Sequence, residues 1–296
     1  MTRRRVLDFV GRLSMRTGRA VLFTLAVLAL VPAAATAADV QTDVPDKLKI
    51  AFGGMGASAY TDAGLGSTTA GVGATINFED IFDLPEDKNV FRFEMNWRLN
   101  KRQFLDFGYL ELNRSGSRQI QDDFEWGDFI FTAGGNVRAA FETSFPYAAW
   151  RYSFLDVPQV RISGSAGIVY LSMEAALQAN GNVTDSNGVP VAGDVEEKVS
   201  ASVPVPQFGL QIDWIIAKRL AVLMYLRQIY VNDIAGATGG IGETAMRFQW
   251  WYAKHAGVSV GLDKESIDLK RYEDGDKQAK FRYEVRGFSF YLNFAF

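Results

Sequence analysis

The residues that could do chemistry in this chain are ionic, and they alternate with apolar ones. In Val90–Leu99, Arg92, Glu94, Asn96 and Arg98 fall at every second position, with Phe91, Phe93, Met95, Trp97 and Leu99 between them. Gln207–Ile216 and Gly242–Tyr252 repeat the pattern, with Asp213, Glu243 and Arg247 on the polar side. Every second residue of a strand points to the same face. Arg92, Glu94, Arg98, Asp106, Arg151, Asp213, Arg227, Glu243 and Arg247 are thus expected on one enclosed face. Both signs of charge are present, which leaves two roles open. The face is either a paired ionic filling that satisfies itself away from water, or a polar wall past which small solutes move.

Other chemistries find little support. Lipid hydrolysis in a membrane barrel needs a Ser–His pair with an orienting acid or amide. The one histidine, His255, sits in the short connection Lys254-His255-Ala256-Gly257, with no G-x-S-x-G before it, and reads as a solvated turn residue. Asn180-Gly181-Asn182 and Glu273-Asp274-Gly275-Asp276 carry oxygen ligands suited to a hard cation but lack the EF-hand spacing, so they read as ordinary loops. Gly53-Gly54-Met55-Gly56 precedes no helix and reads as a close-packed strand. There is no cysteine, which removes disulfides and thiolate metal sites. No catalytic residue, metal or cofactor is expected.

The elements that must position the ionic face are period-two segments separated by turns. They run Lys47–Tyr60, Thr69–Phe78, Val90–Leu99, Gln103–Asn113, Arg118–Phe131, Val137–Phe154, Val160–Leu177, Val199–Ile216, Leu220–Asn232, Gly242–Tyr252, Val258–Leu269 and Ala279–Phe296. Glu79–Pro85 breaks the pattern as a short helical turn, and Ala179–Lys198 reads as a long polar loop. Pro146 suggests a bulge or kink, with Phe141 outward before it and Trp150, Tyr152 and Phe154 outward after it. The predicted fold is all-β: one antiparallel transmembrane β-barrel of about 12 strands, with 10–14 open. Its lipid-facing residues are expected to include Phe91, Phe93, Trp97, Phe208, Trp214, Phe248, Trp250, Phe288, Phe290, Phe294 and Phe296. Aromatics make up 13% of the 296 residues, enough to furnish girdles at two interfaces.

The ends frame this barrel. Arg3, Arg4, Arg5, Arg12, Arg16 and Arg19 precede the apolar run Ala20–Val31 and the small-residue site Ala35-Thr36-Ala37, which together read as a cleaved signal peptide over residues 1–37. Residues 38–46 then form a short periplasmic leader, and residues 47–296 the barrel. Without residues 1–37 the chain loses six of its 31 Lys and Arg and one of its 34 Asp and Glu, leaving 25 against 33 and a net charge of −8. Nucleic acid is an unsuitable partner for such a chain.

At the other end, Phe288, Phe290, Leu292, Phe294 and Phe296 form an apolar stripe that reaches the last residue. Upstream of Gly287 the apolar parity reverses: Phe281, Tyr283 and Val285 read as outward, and Arg282, Glu284 and Arg286 as inward. This predicts a bulge at Arg286-Gly287, or departure of the strand from the membrane there. The ending resembles the final strand of Gram-negative outer-membrane β-barrels, which typically finish in Phe. The resemblance implies residence in the outer membrane among its lipids, and recognition of the strand ending at Phe296 by the barrel-assembly machinery. The expected function is a non-enzymatic structural protein or a narrow passive channel. The alternatives are a lipid-modifying hydrolase or, at the level of fold, a soluble periplasmic barrel with a lipophilic ligand.

Overall fold

The computed structural model describes residues 42–67, 75–82, 87–126, 129–185, 188–191, 193–234, 237–272 and 277–296. The proposed signal peptide lies outside them. The elements are β1 (Leu48–Ser67), β2 (Thr75–Asn77), α1 (Phe78–Phe82), β3 (Asp87–Arg98), β4 (Gln103–Gln119), β5 (Phe124–Trp126), β6 (Phe129–Phe131), β7 (Asn136–Ser144), β8 (Tyr147–Val157), β9 (Val160–Asn180), β10 (Val183–Asp185), β11 (Asp194–Ala217), β12 (Leu220–Ile234), β13 (Ala237–Trp250), β14 (Ala256–Tyr272) and β15 (Lys277–Ala295). Each long strand pairs antiparallel with its neighbours, and β1 closes the ring on β15 from Lys49–Ala295 to Ser67–Lys277.

β7 and β8 are one stave. Ser144 lies opposite Glu111 of β4, and Tyr147 opposite Gly108, so no residue is inserted at Pro146. Counted so, ten staves close the barrel among the described residues, the low end of the expected range. Two expected strands are not staves. Thr69–Phe78 lies partly outside the described residues; in its described part Thr75–Asn77 pairs with β1 and Phe78 opens α1. Arg118–Phe131 divides into the end of β4 and the hairpin β5–β6, which with β10 makes a small separate sheet. The expected loop Ala179–Lys198 is trimmed at both ends, because β9 and β11 stay paired up to Asn180–Asp194, and the connection runs over 181–193 with the short β10 inside it. Its Gly and Asn residues mark the connection itself, with positive φ at Gly181, Asn182, Gly188 and Gly193.

Length explains this. β11 has 24 residues and β9 has 21. A strand needs about 9–11 residues to cross a bilayer. Half of each long stave therefore stands beyond any membrane. The outer surface shows where the change comes. Near the short-turn end it is an apolar belt that includes Phe52, Trp97, Trp150, Phe208, Trp250, Leu262 and Phe288. Toward the loop end the outward positions become Glu142, Glu174, Glu196, Lys198, Lys264, Arg282 and Arg286. The inner surface changes in the opposite sense: Arg and Glu inside the belt, and Val, Leu, Met and Phe above it.

This inversion removes two expected irregularities. Phe281, Tyr283 and Val285 are 1% exposed and face inward, and Arg282, Glu284 and Arg286 lie on the outer face. The ladder passes Arg286-Gly287 without a shift on both sides, so there is no bulge, and the outer face turns polar from Arg286 toward the loop end, in line with the other expectation that the strand leaves the belt there. Phe141 is likewise fully buried, and inward parity runs unbroken from Val137 through Phe145 to Ser153. Parity is constant through both positions, and the β8 ladder shifts only farther on, between Ser153 and Leu155. What changes at Gly287 and Pro146 is which medium each face meets.

The core above the belt is aromatic. Phe78 of α1 meets Phe82, Trp126 and Phe141 at ring separations of 5.3, 5.8 and 6.1 Å. Phe124 stacks on Phe131 at 5.2 Å. Inside this core Glu79 accepts from Arg114 and from the Thr61 backbone N–H, the latter at 2.8 Å, which fixes α1 to β1 and β4. A pair so deeply buried is tolerable only because each charge has a partner and added hydrogen bonds.

The short-turn end also carries the described start of the chain. Val44 is buried against Trp251 and Ala295. Asp46 binds Lys49 at 3.1 Å and Arg161 at 3.0 Å, and also Arg98. Burial pushes the Asp46 carboxyl up, but those three cations outweigh it and hold the pKa at about 2.

Two outcomes test this architecture. A side chain at Gly287 would overlap the Gly56 carbonyl oxygen on the closing strand. Gly287→Val is expected to cost about 1–3 kcal/mol, read as a lower midpoint for loss of heat-modifiable gel mobility. For Asp46, a lowered folded-state pKa gives stability that is fully present above its usual value of 3.8 and is lost as pH falls through about 2. Asp46→Asn is expected to lower unfolding stability by about 2 kcal/mol at neutral pH, and the deficit relative to wild type should fade between pH 4 and 2. A deficit independent of pH would contradict the ionic origin.

Candidate functional site

The barrel interior within the belt holds the ionic residues, stacked in levels from the short turns upward. The alternation of β3, β4, β8, β11, β12, β13 and β14 sends their polar residues inward, among them Arg92, Asp106, Arg151, Asp213, Arg227, Glu243 and Asp263. At the rim, Arg98 binds Asp156 at 3.2 Å as well as Asp46, and Arg161 binds Asp156 at 3.1 Å. Above it, Arg151 makes a bidentate contact to Asp106 at 2.7 and 3.0 Å and lies over the Phe104 ring at 4.3 Å. Asp213 stands 4.0 Å from both Arg151 and Arg161 and accepts from Gln211 at 2.7 Å.

The densest level joins four strands. Arg92 of β3 reaches Glu94 at 2.8 Å, Glu265 of β14 at 2.9 Å, and Glu243 of β13. Arg227 of β12 binds Glu243 at 2.7 Å and lies over Tyr147 at 4.6 Å. Arg247 bridges Glu94 at 2.8 Å and Asp263 at 3.0 Å, with Tyr291 beneath it at 4.3 Å. Three guanidiniums thus meet four carboxylates, and Arg92 and Arg247 are each 3% exposed.

Of the residues singled out from sequence, Arg92, Glu94, Arg227, Glu243 and Arg247 lie in this level, Asp106, Arg151 and Asp213 in the one below, and Arg98 at the rim. The expected lipid-facing residues lie on the outer wall. Phe91, Trp97, Phe208, Trp214, Phe248, Trp250, Phe288, Phe290, Phe294 and Phe296 are exposed. Phe93 is half-buried, near Phe52, its ring 5.2 Å away. Sequence reasoning missed Asp263 and Glu265, whose strand lacks a regular apolar partner face, and the Glu79–Arg114 pair, whose members lie 35 residues apart.

Two small cavities lie in the interior among the described residues. One cavity of about 50 Å³ lies among Asp46, Arg161, Asp213, Arg247 and Trp251. A second of about 50 Å³ lies higher, among Arg92, Tyr147, Val169, Gln207 and Ile241. Each has room for a few waters. His255 lies at the short-turn end with Nδ1 2.7 Å from the Ala295 carbonyl oxygen, far along the staves from the loop end. Among the described residues no cluster of three or more His, Cys, Asp or Glu is arranged to hold a metal ion.

No protein-family model matches this chain, and no curated protein sequence matches it. Among solved structures, the chain is similar to the outer-membrane protease OmpT from Escherichia coli, with 12% identity over 85% of this chain and 97% of that one and a TM-score of 0.53. It also aligns with the P. putida toluene transporter TodX, at 6% identity over 86% of this chain and 91% of that one, TM-score 0.37. A third alignment is to Ail, the attachment invasion locus protein of Yersinia pestis, at 8% identity over 82% of this chain and 97% of that one, TM-score 0.27. The likeness to OmpT is one of fold and does not carry the protease's activity to this chain. The closed antiparallel ring, its outward apolar belt and this likeness give the chain the fold of the Gram-negative outer-membrane β-barrels.

Proposed function

We propose that this protein is a non-enzymatic, structural barrel of the bacterial outer membrane, closed to solutes. The belt lies in the bilayer, the short turns and Asp46 face the periplasm, and the upper half of the staves projects from the cell surface. One observation carries the reading: the lumen is shut twice. The Arg92–Glu243–Arg247 level crosses it within the belt, and the Phe78, Trp126 and Phe141 core with its small sheet fills it above. A conducting pore needs a continuous wet path, and a filled apolar core is dry. The upper half then resembles a soluble β-barrel turned toward water, a stable platform for surface loops. The non-enzymatic part of the reading is supported by His255, which is hydrogen-bonded at the periplasmic end.

Planar-bilayer recording of the refolded chain is the decisive measurement. Flat traces are expected, and stable stepwise currents would overturn the closed reading. The ionic level is expected to matter for stability instead. Arg92→Leu leaves Glu94, Glu243 and Glu265 facing one another with one fewer cation, and removal of one partner from a buried charge pair costs about 3–5 kcal/mol. The check is reversible urea unfolding in lipid vesicles, followed by tryptophan fluorescence. An unchanged midpoint would show that water already screens the site.

A further inference from the structure

Charge is unevenly distributed on the outer wall above the belt. Among the described residues, the outward positions of β14 and β15 carry five cations, Lys264, Lys270, Lys280, Arg282 and Arg286, against two carboxylates, Asp268 and Glu284. Register sharpens the contrast. Arg282 lies between Asp62 of β1 and Asp268 of β14, as a self-balancing wall requires. Lys264 and Arg286, however, are direct cross-strand partners, and so are Lys270 and Lys280. Like charges directly opposite each other on one face destabilise a sheet. Lys264 has a carboxylate, Glu284, 2.9 Å away, but both side chains are exposed, and such pairs contribute little. On the far side of the ring the wall carries the opposite sign, with Glu142 of β7 directly across from Glu174 of β9.

Height gives the compensating anion its chemistry. Lys264 and Arg286 sit one outward step above Leu262 and Phe288, the last apolar pair of the belt on these strands, and Phe288 is 77% exposed. At that level hydrocarbon gives way to lipid phosphate. The exposed hydroxyl residues Thr244 and Ser58 continue the row on β13 and β1. Lys270 and Lys280 lie six residues farther toward the loop end. That is about 20 Å along the strand, or about 14 Å of height at a tilt near 45°. The headgroup layer of a bilayer is only about 5–8 Å thick on each side. An occupant that meets both pairs therefore has acyl chains, a phosphate at the hydrocarbon boundary, and further acidic groups on a body that rises past the headgroups. We propose that the outer wall of β14 and β15 binds an acidic, phosphorylated glycolipid of the outer leaflet, a lipopolysaccharide. Its phosphate sits on Lys264 and Arg286, its acidic saccharide on Lys270 and Lys280, and its acyl chains against Leu262 and Phe288. Phosphate accepts charge-assisted hydrogen bonds from both cation types, so one ligand relieves both like-charge pairs. The site rests on the membrane placement given above but requires nothing of the lumen.

The test is titration of the detergent-refolded chain with fluorescent lipopolysaccharide, and with fluorescent phosphatidylglycerol in a parallel arm. Lipopolysaccharide is expected to bind, and phosphatidylglycerol to bind more weakly. Lys264→Gln combined with Arg286→Gln removes two surface charges, each worth about fivefold in affinity, so lipopolysaccharide binding should weaken about thirtyfold. Lys270→Gln combined with Lys280→Gln should weaken binding of whole lipopolysaccharide and leave that of lipid A, which lacks the acidic core saccharide, unchanged. Glu142→Gln combined with Glu174→Gln, on the opposite wall, should not weaken binding. All of these side chains lie on the outer surface, and heat-modifiable gel mobility confirms that each variant folds. No binding of lipopolysaccharide, equal affinity for phosphatidylglycerol, or equal losses in the Lys264/Arg286 and Glu142/Glu174 variants overturn the site. Quenching of the belt tryptophans Trp97, Trp150 and Trp250 by dibrominated phosphatidylcholine in vesicles checks the placement separately. Quenched tryptophans without lipopolysaccharide binding overturn the glycolipid site alone, whereas unquenched ones overturn the membrane placement.

Discussion

A strand in a closed barrel cannot turn over. Its hydrogen bonds lie in the wall, so every second residue faces the lumen from one end to the other. The medium outside does change, from hydrocarbon to water, and each face must change composition at the same height. In hydrocarbon the outer face is apolar, and the lumen is left to hold whatever polar groups can satisfy one another. In water the outer face is polar and the lumen becomes the only dry place, so it fills with aromatic and aliphatic side chains. The belt, the ionic levels, the aromatic core and the polar upper wall all follow from this one constraint.

The constraint also explains how charged groups survive at the midline. Arg92 and Arg247 each touch carboxylates from other strands, and Arg247 also lies over the Tyr291 ring, so neither is an isolated charge. Desolvation is offset only where geometry and hydrogen bonds are this complete. Above the belt, Glu79 and Arg114 meet the same demand inside an apolar core and thereby hold α1 in place. The polar and apolar halves of the lumen are thus two packings of one tube.

Much of this was legible in the residues. The alternation in Val90–Leu99, Gln207–Ile216 and Gly242–Tyr252 marks belt strands, because there the two faces differ most in kind. The barrel fold and the inward set from Arg92 to Arg247 came from that contrast. Alternation reports two faces, however, and is silent about which medium each one meets. Phe141, Phe281, Tyr283 and Val285 read as outward for that reason, and keeping that scheme consistent takes a bulge or a departure from the membrane at Gly287. The extra staves arose similarly, since Phe124–Phe131 is apolar enough for a strand but belongs to the small sheet over the lumen.

The ionic level at Arg92 also constrains how the chain reaches its native state. Its members come from β3 and from β12, β13 and β14 much later in the chain, as in the Arg247–Glu94 contact across 153 positions and the Arg92–Glu265 contact across 173. Local hairpins satisfy only part of the set, Arg227 with Glu243 and Arg247 with Asp263, and leave Glu265 without Arg92 and Glu94 without Arg247. A partly inserted sheet would hold carboxylates and guanidiniums against lipid with their partners still absent, so such states are poorly populated. Contacts of this separation form late and slowly. The level therefore acts as a latch on assembly: insertion and closure become a single cooperative event, completed when the first strands and the last meet.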